Sequence, residues 1–482
     1  MWARFTKILK LGAALLAASA IILFAVRVLH SQRGRPLEPW HTYVPRELSV
    51  GELDRDGWSE YLSAENAIFD RVRAKVTGRL EPEQRVVINR YFEGSPIYPG
   101  HFAQDWNRSF VLEPSGPPVG AAVFLHGLTD SPYSLREIAR RYSEHGYVAI
   151  VIRLPGHGTV PGGLTGITWE EWLAATRLAV REARRRVGPS APLHLVGYSN
   201  GGALAMMYAL DALDDMALAK PDRIVLISPM IGVTRFARFA GLAGLPAIFP
   251  AFAKAAWLSV LPEFNPFKYN SFPVNGARQS HLLTSALQQN IARHAKDGRL
   301  VGLPPIITFQ SLIDFTVSTR AIISALYVRL PSNGSELVLF DLNRNAKLGP
   351  ILSSTADTLM TGLLPDPPRA FRTTIITNAS SETNDVVERV IESGAQTDQT
   401  RPLAMSYPAD VFSLSHIALP FPITDPLYGL QPDPTENCGI RLGVLAPRGE
   451  RGALIVNLDS LLRISSNPFF PYLMKRIEDC IN

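Results

Sequence analysis

The chain has 482 residues, of which 46% are hydrophobic, and this length and composition are ample for a packed core. Its net charge of +5 is spread over short basic runs, whereas a nucleic-acid-binding domain concentrates its charge on one stripe. No zinc-type spacing links its 2 cysteines and 10 histidines. The composition therefore argues against a nucleic-acid partner and against a zinc site.

The first 30 residues contain an apolar segment. Residues 11–26 carry no charge, and residues 8–29 as a helix would span roughly 30 Å, the thickness of a hydrocarbon core. Lys10 and Arg27 lie near its ends, where long cationic side chains can reach the interface. Because no small-residue cleavage site follows the apolar run, the pattern predicts an uncleaved signal anchor, with one transmembrane helix in residues 1–30.

Basic residues flank both sides of this segment almost equally, so they do not fix its orientation. A short basic start before an apolar run is typical of an export signal. We therefore expect a single-pass membrane protein whose main domain is periplasmic or extracellular.

Residues 31–108 read as a juxtamembrane linker and a helical preface, since residues 63–76 show apolar side chains at helical spacing. From residue 109 onward, short β-type runs alternate with helical patterns. The predicted strands are 109–112, 121–125, 147–152, 193–196, 223–227, 306–310 and 337–340, and the predicted helices are 134–144, 169–186, 202–213 and 319–330. This alternation predicts one α/β domain over 109–482, with a mostly parallel sheet that helices cover on both faces.

Two long intervals interrupt the alternation. Residues 229–303 include a Phe-, Ala- and Leu-rich stretch at 236–260, which we interpret as a helical cap above the carboxyl ends of the strands. Residues 343–410 are predicted to be a second insertion. Beyond it lie both cysteines, Cys438 and Cys480, and the sequence leaves open whether they form a disulfide.

The strongest local motif is Gly197-Tyr198-Ser199-Asn200-Gly201, which a β-type run enters and an Ala- and Met-rich helical run leaves. This is the context of a nucleophile elbow, where a strained turn between small residues projects a serine hydroxyl at a helix N-terminus. A second turn, His126-Gly127-Leu128, closes an earlier apolar strand. In such enzymes the backbone N–H groups of Leu128 and Asn200 would form the oxyanion hole.

The base and the acid should follow the serine in the order serine, acid, histidine. Only His281, His294 and His416 follow Ser199, and the first two fall in helix-like sequence of the cap. His126 precedes the serine and is interpreted as a support for its loop. His416 is therefore the predicted base.

Asp314 is the predicted acid, because it lies in the turn that follows the buried strand 306–310. Asp341, at the end of the next strand, is its rival. Asp410, close before His416, is a weaker alternative.

The segments that carry these residues are HGLTDSPYSLREIARRYSEHGYVAIVIRLPGHGTVPGGL, GYSNGG, SLIDFTVS and SHIALP. They resemble the α/β-hydrolase superfamily, and more narrowly its monoacylglycerol lipase, carboxylesterase and serine aminopeptidase-like group. Shared features are the Gly156-His157-Gly158 turn and the Asp-x-x-Val element that begins at Asp314. The resemblance implies an α/β-hydrolase fold, a Ser199–Asp314–His416 triad and oxyanion donors at Leu128 and Asn200.

Two features depart from that group. Tyr198 and Asn200 flank the nucleophile where the group usually has histidine and methionine, and the interval between Asp314 and His416 is longer than usual.

These features predict a serine hydrolase that cleaves carboxylic esters with apolar acyl groups and needs no metal or organic cofactor. The alternatives are a serine aminopeptidase, which would need an acidic cluster near the site, and a membrane-tethered scaffold without turnover. Glu170-Glu171 and Asp214-Asp215 are the dense acidic pairs before the cap. The predicted partners are a small ester substrate and the membrane, and the sequence leaves the oligomeric state open.

Overall fold

The protein is described from a computed structural model that covers residues 2–232, 244–314, 316–347, 362–445 and 463–481. Within these residues, ten strands form one sheet in the order β1-β3-β2-β4-β5-β8-β9-β10-β11-β12. The strands are β1 Phe110–Leu112, β2 Gly120–Leu125, β3 Tyr147–Ile152, β4 Leu193–Tyr198, β5 Arg223–Ile227, β8 Ile306–Ser311, β9 Glu336–Phe340, β10 Arg372–Asn378, β11 Asp385–Ile391 and β12 Gln399–Ser406. A separate hairpin pairs β6 Trp257–Ser259 with β7 Phe272–Pro273.

The centre of the sheet is parallel and both of its edges are antiparallel. Strands β3, β2, β4, β5, β8, β9 and β10 pair in parallel, whereas β1 pairs with β3, and β11 with β10 and β12, in the antiparallel sense. Every residue of β2, β3, β4 and β8 is buried. Such continuous apolar runs are typical of parallel strands that are covered on both faces.

Helices flank both faces of this sheet. In the described part of the chain, the α-helices of four or more residues are α1 Trp2–Gln32, α2 Pro39–Thr42, α3 Val50–Arg55, α4 Trp58–Lys75, α5 Arg136–Glu144, α6 Trp169–Val187, α7 Asn200–Asp214, α8 Val274–Lys296 and α9 Phe470–Ile481. One core contains side chains of α6, α7 and α8 against Val123 and Leu195, and the other contains those of α5 and α9 against Phe124 and Val196. Alternate residues of each strand thus enter opposite cores. The predicted α/β architecture with a mostly parallel sheet is confirmed.

The segment predicted as a second insertion contributes strands to the main sheet. Strands β10, β11 and β12 all lie between 343 and 410, and β10 continues the parallel order beside β9. Residues 348–361 of that segment lie outside the described residues. The sequence analysis missed these strands because their apolar residues alternate with polar ones and no helix separates them.

The cap differs from its prediction in the position of its helix. Residues 236–243 of the predicted helical stretch lie outside the described residues, and the following part forms the 3-10 segments Leu245–Ile248 and Pro250–Ala256. The long cap helix is α8 instead, whose Ser280 hydroxyl donates to Asn200 Oδ1 across 3.5 Å. The cap is therefore joined to the first residue of α7.

The N-terminal segment is helical, but its predicted role as a membrane span is not supported. Among the described residues, no helix combines the length and the apolar character needed to cross a bilayer. The carboxyl-terminal end of α1 packs on the cap, where Arg27 donates to the carbonyl oxygens of Ala255 and Trp257. Phe24 also lies edge-on to Phe252, with 6.3 Å between the ring centroids. The end of α1 is thus a protein contact.

The preface joins the main domain through a buried cation. Arg153, which follows β3, is fully buried and binds both oxygens of Glu47 at 2.8 and 2.9 Å and Glu65 at 3.0 Å. The backbone N–H and the hydroxyl of Ser109 donate to Glu65 as well. These bonds fix α4 and the segment before α3 to the end of a central strand. Cys438 and Cys480, whose pairing the sequence left open, are free thiols.

Candidate active site

Ser199 lies in a strained turn between β4 and α7. Its φ is +54°, a value that a residue with a side chain adopts at a cost, and its hydroxyl-bearing side chain is almost fully buried. The backbone holds this turn, because Ser199 N–H donates to Ile227 O at 3.0 Å and Ser199 O accepts from Met230 N–H at 2.9 Å. The strain is thus fixed by the neighbouring strand β5.

The glycines around Ser199 are required by close backbone approaches. A Cβ atom on Gly201 would lie 1.9 Å from Leu125 O, and one on Gly197 would lie 2.5 Å from Gly201 O. Real side chains do not tolerate such distances. The predicted small-residue requirement of the elbow therefore has a direct steric cause in this chain.

His416 connects Ser199 to Asp314 through two hydrogen bonds. Its Nε2 lies 3.0 Å from Ser199 Oγ, and its Nδ1 lies 2.8 Å from Asp314 Oδ2. Both His416 and Asp314 are buried. The structure therefore brings together the three side chains that the sequence analysis selected, in the order that proton transfer from the serine requires.

The Asp314 carboxylate is held in place by several donors. Its Oδ1 accepts from the N–H groups of Thr316 at 2.8 Å and Val317 at 2.9 Å, so the backbone of the Asp-x-x-Val element holds the carboxylate. Burial alone would raise the pKa of Asp314, but the charge and hydrogen bond of His416 and the two amides lower it below its usual value. Asp314 is therefore ionised at neutral pH and can stabilise a protonated imidazole.

The alternative acids and histidines are engaged elsewhere. Asp341 binds Arg344 and accepts from the Thr377 hydroxyl, and Asp410 is exposed. His294 Nε2 lies 3.1 Å from an oxygen of Asp214, and His281 lies half-buried on the cap helix. None of these groups has a hydrogen bond to Ser199 or His416 within the described part of the chain.

The turn that carries Leu128 adjoins the nucleophile. A Cβ atom on Gly127 would lie 3.3 Å from the Cβ of Ser199, so the two turns are in contact. Leu128 follows directly, and Asn200 is the first residue of α7, where a helix has N–H groups without intrahelical acceptors. Both predicted oxyanion donors thus lie on the turns that meet at Ser199.

His126 stabilises the turn that carries Leu128. Its Nδ1 donates to Gly127 O at 2.9 Å and its Nε2 accepts from Leu154 N–H at 3.0 Å, so both ring nitrogens are used. Burial keeps the pKa of His126 well below its usual value, and burial also lowers the pKa of the neighbouring His157 to about 3. These rings are neutral parts of the scaffold.

Three neighbours of the triad were not selected from the sequence. The Tyr198 ring stacks on that of His416 at 5.5 Å between centroids, and its hydroxyl donates to His416 O at 3.3 Å. The hydroxyl of Ser311 donates to Leu414 O at 2.8 Å, which holds the same loop. The amide of Gln310 donates to Asp314 Oδ2 at 3.2 Å. For Gln310 and Ser311, the available signal was the presence of polar residues at the end of the otherwise apolar strand β8.

Residues 116–330 match the family model described as "Serine aminopeptidase, S33". A curated relative, the thermostable monoacylglycerol lipase of Bacillus sp. (strain H-257), is 32% identical over 92 residues, which is 19% of this chain and 35% of the lipase. The aligned part is thus about a third of the length of that relative.

The chain has the α/β-hydrolase fold, and its residues 116–330 are similar to the serine aminopeptidase S33 family. The family match and the lipase relative support a serine hydrolase of the carboxylesterase or lipase type. Similar solved structures include a metagenome-derived lipolytic enzyme, with 20% identity, a TM-score of 0.40 and coverage of 49% of this chain and 88% of that one. The monoglyceride lipase of Saccharomyces cerevisiae is 13% identical, with a TM-score of 0.39 and coverage of 48% and 81%.

No group of three or more histidine, cysteine, aspartate or glutamate side chains in the described ranges is arranged to hold a metal ion. The chemistry that this α/β-hydrolase site offers is that of a hydroxyl nucleophile beside an imidazole base.

Proposed function

We propose that this protein is an esterase that cleaves carboxylic esters through an acyl-enzyme on Ser199, with His416 as general base and Asp314 as its acid. The observation that carries this proposal is the continuous hydrogen-bonded chain from Ser199 Oγ through the imidazole to Asp314 Oδ2. A scaffold protein without catalytic activity would not need this series of hydrogen bonds at a strained turn.

The first half of the reaction forms the acyl-enzyme. His416 Nε2 accepts the proton of Ser199 Oγ as that oxygen attacks the ester carbonyl carbon, and Asp314 stabilises the resulting imidazolium. The N–H groups of Leu128 and Asn200 bind the oxyanion, and each such donor lowers the barrier by roughly 3 kcal/mol. The carbon–oxygen bond to the alcohol then breaks, and His416 returns the proton to the departing alcohol.

The second half releases the acid. His416 accepts a proton from water as the water oxygen attacks the acyl carbon and forms a second tetrahedral intermediate. The bond between the acyl carbon and Ser199 Oγ then breaks, His416 returns the proton to Oγ, and a carboxylic acid is released. This sequence needs only groups of the chain itself and water.

The proposed substrates are esters with an apolar acyl group, of the monoacylglycerol or lysophospholipid kind. Their support is the apolar composition of the cap and the similarity to the Bacillus relative, a monoacylglycerol lipase. One member of each acidic pair that an aminopeptidase could use is engaged elsewhere: Glu171 accepts from Thr168 N–H at the start of α6, and Asp214 binds Arg293. Export of the main domain stays a prediction from the sequence.

The test is labelling with a fluorophosphonate probe followed by a substrate panel. We expect the wild type to be labelled and Ser199→Ala not to be, with equal folding by circular dichroism. Persistent labelling of Ser199→Ala would contradict the nucleophile assignment. p-Nitrophenyl esters of increasing acyl length beside aminoacyl anilides then separate an esterase from an aminopeptidase, and turnover of the anilides alone would reverse the proposal.

A further inference from the structure

Gln310 is a fully buried amide that touches the proposed acid. It lies near the end of β8, four residues before Asp314. Its Nε2 donates to Asp314 Oδ2 at 3.2 Å, and Thr319 Oγ1 at 3.0 Å and Ser311 O at 3.2 Å lie within hydrogen-bond distance of the same nitrogen. The amide nitrogen is therefore surrounded by acceptors.

The other end of this amide is unsatisfied. Gln310 Oε1 is buried and has no hydrogen-bond partner among the described residues. A buried carbonyl without a donor is unfavourable, and rotation of the amide would bring this oxygen against the Asp314 carboxylate, which is worse. The orientation of Gln310 is thus set by the nitrogen's contact with the carboxylate at the expense of its oxygen.

The contact falls on the oxygen that serves the imidazole. Asp314 Oδ1 is held by two backbone N–H groups, whereas Oδ2 accepts from His416 Nδ1 and from Gln310. Without Gln310, the imidazole is the remaining partner of Oδ2 among the described residues. The position of Oδ2 would then be free to follow the ring as it moves.

We propose that Gln310 is a positioning residue of the catalytic site, which fixes Asp314 Oδ2 on the line of the His416 Nδ1–H bond. This inference rests on the proposed function, because it assigns Gln310 a role in the same triad. A second donor on Oδ2 keeps the carboxylate plane facing the imidazole in the transition state, when the ring carries its charge. Gln310 acts only through Asp314, so substrate binding does not depend on it.

The decisive experiment is a double-mutant cycle on ester hydrolysis. We expect Gln310→Met to lower kcat about tenfold, the usual effect of losing a hydrogen bond to a charged group, with KM unchanged. In the Asp314→Asn background the same substitution should cause no further loss. A full tenfold loss in that background, or an unchanged kcat in the single variant, would overturn the proposal.

The matched control is Gln279→Met on the cap helix. Gln279 is also a buried glutamine, and its Oε1 accepts from Trp169 N–H at 3.2 Å. We expect Gln279→Met to leave kcat within twofold of the wild type. A tenfold loss there as well would mean that removing any buried amide lowers kcat, and the positioning role would fall.

A second variant keeps the proposal testable if Gln310→Met folds poorly. Gln310→Glu keeps the shape but sets a second carboxylate beside Asp314, and we expect a loss of kcat beyond tenfold. Activity of Gln310→Glu equal to the wild type would contradict the proposal. Fluorophosphonate labelling of Ser199 in each variant separates this outcome from failure of the proposed function, which loss of Ser199 dependence would show.

Discussion

Two buried charged clusters in this molecule have opposite designs. Around Arg153, a permanent cation is matched by Glu47, Glu65 and the carbonyl of His157, and it lies at the junction of preface and sheet. Around His416, an imidazole sits between one carboxylate and one hydroxyl. The Arg153 guanidinium is charged at all times, whereas the proposed reaction would charge the His416 ring only while an ester is being cleaved.

The difference shows how one fold separates stability from chemistry. Buried permanent charges are stable only when all their partners are present, so the Arg153 cluster fixes structure. In the proposed triad, the Ser199 hydroxyl can pass its proton to His416 and form a bond to the substrate. Substitutions in the first cluster should therefore lower stability, and substitutions in the second should lower rate.

The largest expected effect is on rate at Asp314. Asp314→Asn should lower kcat about 10^4-fold with little change in folding, because a neutral amide no longer holds the Nδ1–H tautomer. Steady-state hydrolysis of p-nitrophenyl butyrate measures it. Asp341→Asn is the matched control, since Asp341 pairs with Arg344, and it should keep wild-type kcat. A large loss of kcat in Asp341→Asn and none in Asp314→Asn would instead identify Asp341 as the acid.

The next effect is on stability at Arg153. Arg153→Met should lower the free energy of unfolding by about 3–5 kcal/mol, because Glu47 and Glu65 remain buried without their cation. Urea denaturation measures this loss. The exposed pair Arg46–Glu52 gives the control, and Arg46→Met should leave the free energy of unfolding close to that of the wild type. Equal losses in both variants would show that burial does not distinguish them.

The third effect is a loss of stability in acid from buried neutral histidines. Burial lowers the pKa of His157 to about 3, so the unfolded chain binds a proton below about pH 6.5 while the folded protein does not. Folding stability should fall as the pH decreases from 6.5, by about 2 kcal/mol at pH 5 for one such histidine.

Urea midpoints measured from pH 7 to pH 5 test this dependence. His157→Gln should flatten the curve, whereas the exposed His101→Gln should leave it unchanged. A curve of the same slope in His157→Gln would show that this ring is not a source of the acid sensitivity.

The smallest effect is at Tyr198. Tyr198→Phe keeps the ring that stacks on His416 and removes the hydroxyl that donates to His416 O, so kcat should fall roughly three- to tenfold. Tyr142→Phe removes another buried hydroxyl, which lies 3.2 Å from His194 Nδ1, and should affect only stability. Equal kcat losses in the two variants would remove the special role of Tyr198.

The central strands could be predicted because their signal is local. Tyr147–Ile152 and Arg223–Ile227 have the predicted bounds, since continuous apolar runs between turn residues specify buried parallel strands. The strands Arg372–Asn378, Asp385–Ile391 and Gln399–Ser406 could not be read in the same way. They form one edge of the sheet, where polar and apolar residues alternate and Pro402 lies in the last strand.

The candidate site also contains residues that a local motif predicts and residues that it does not. Ser199 followed from a motif, whereas His416 followed from chain order and elimination, and Gln310 gave no recognisable motif. The N-terminal helix was predicted in its place, but its predicted role as a membrane span is not supported among the described residues.

The turn around Ser199 is specified locally, because glycine sterics and apolar periodicity act between residues a few positions apart. The partners that meet there are set by long-range packing, since His416 lies 217 positions from Ser199 and 102 from Asp314. Contacts over such separations depend on how strands β4 and β8 and the loop that carries His416 pack together. Local preferences of the chain do not specify that packing.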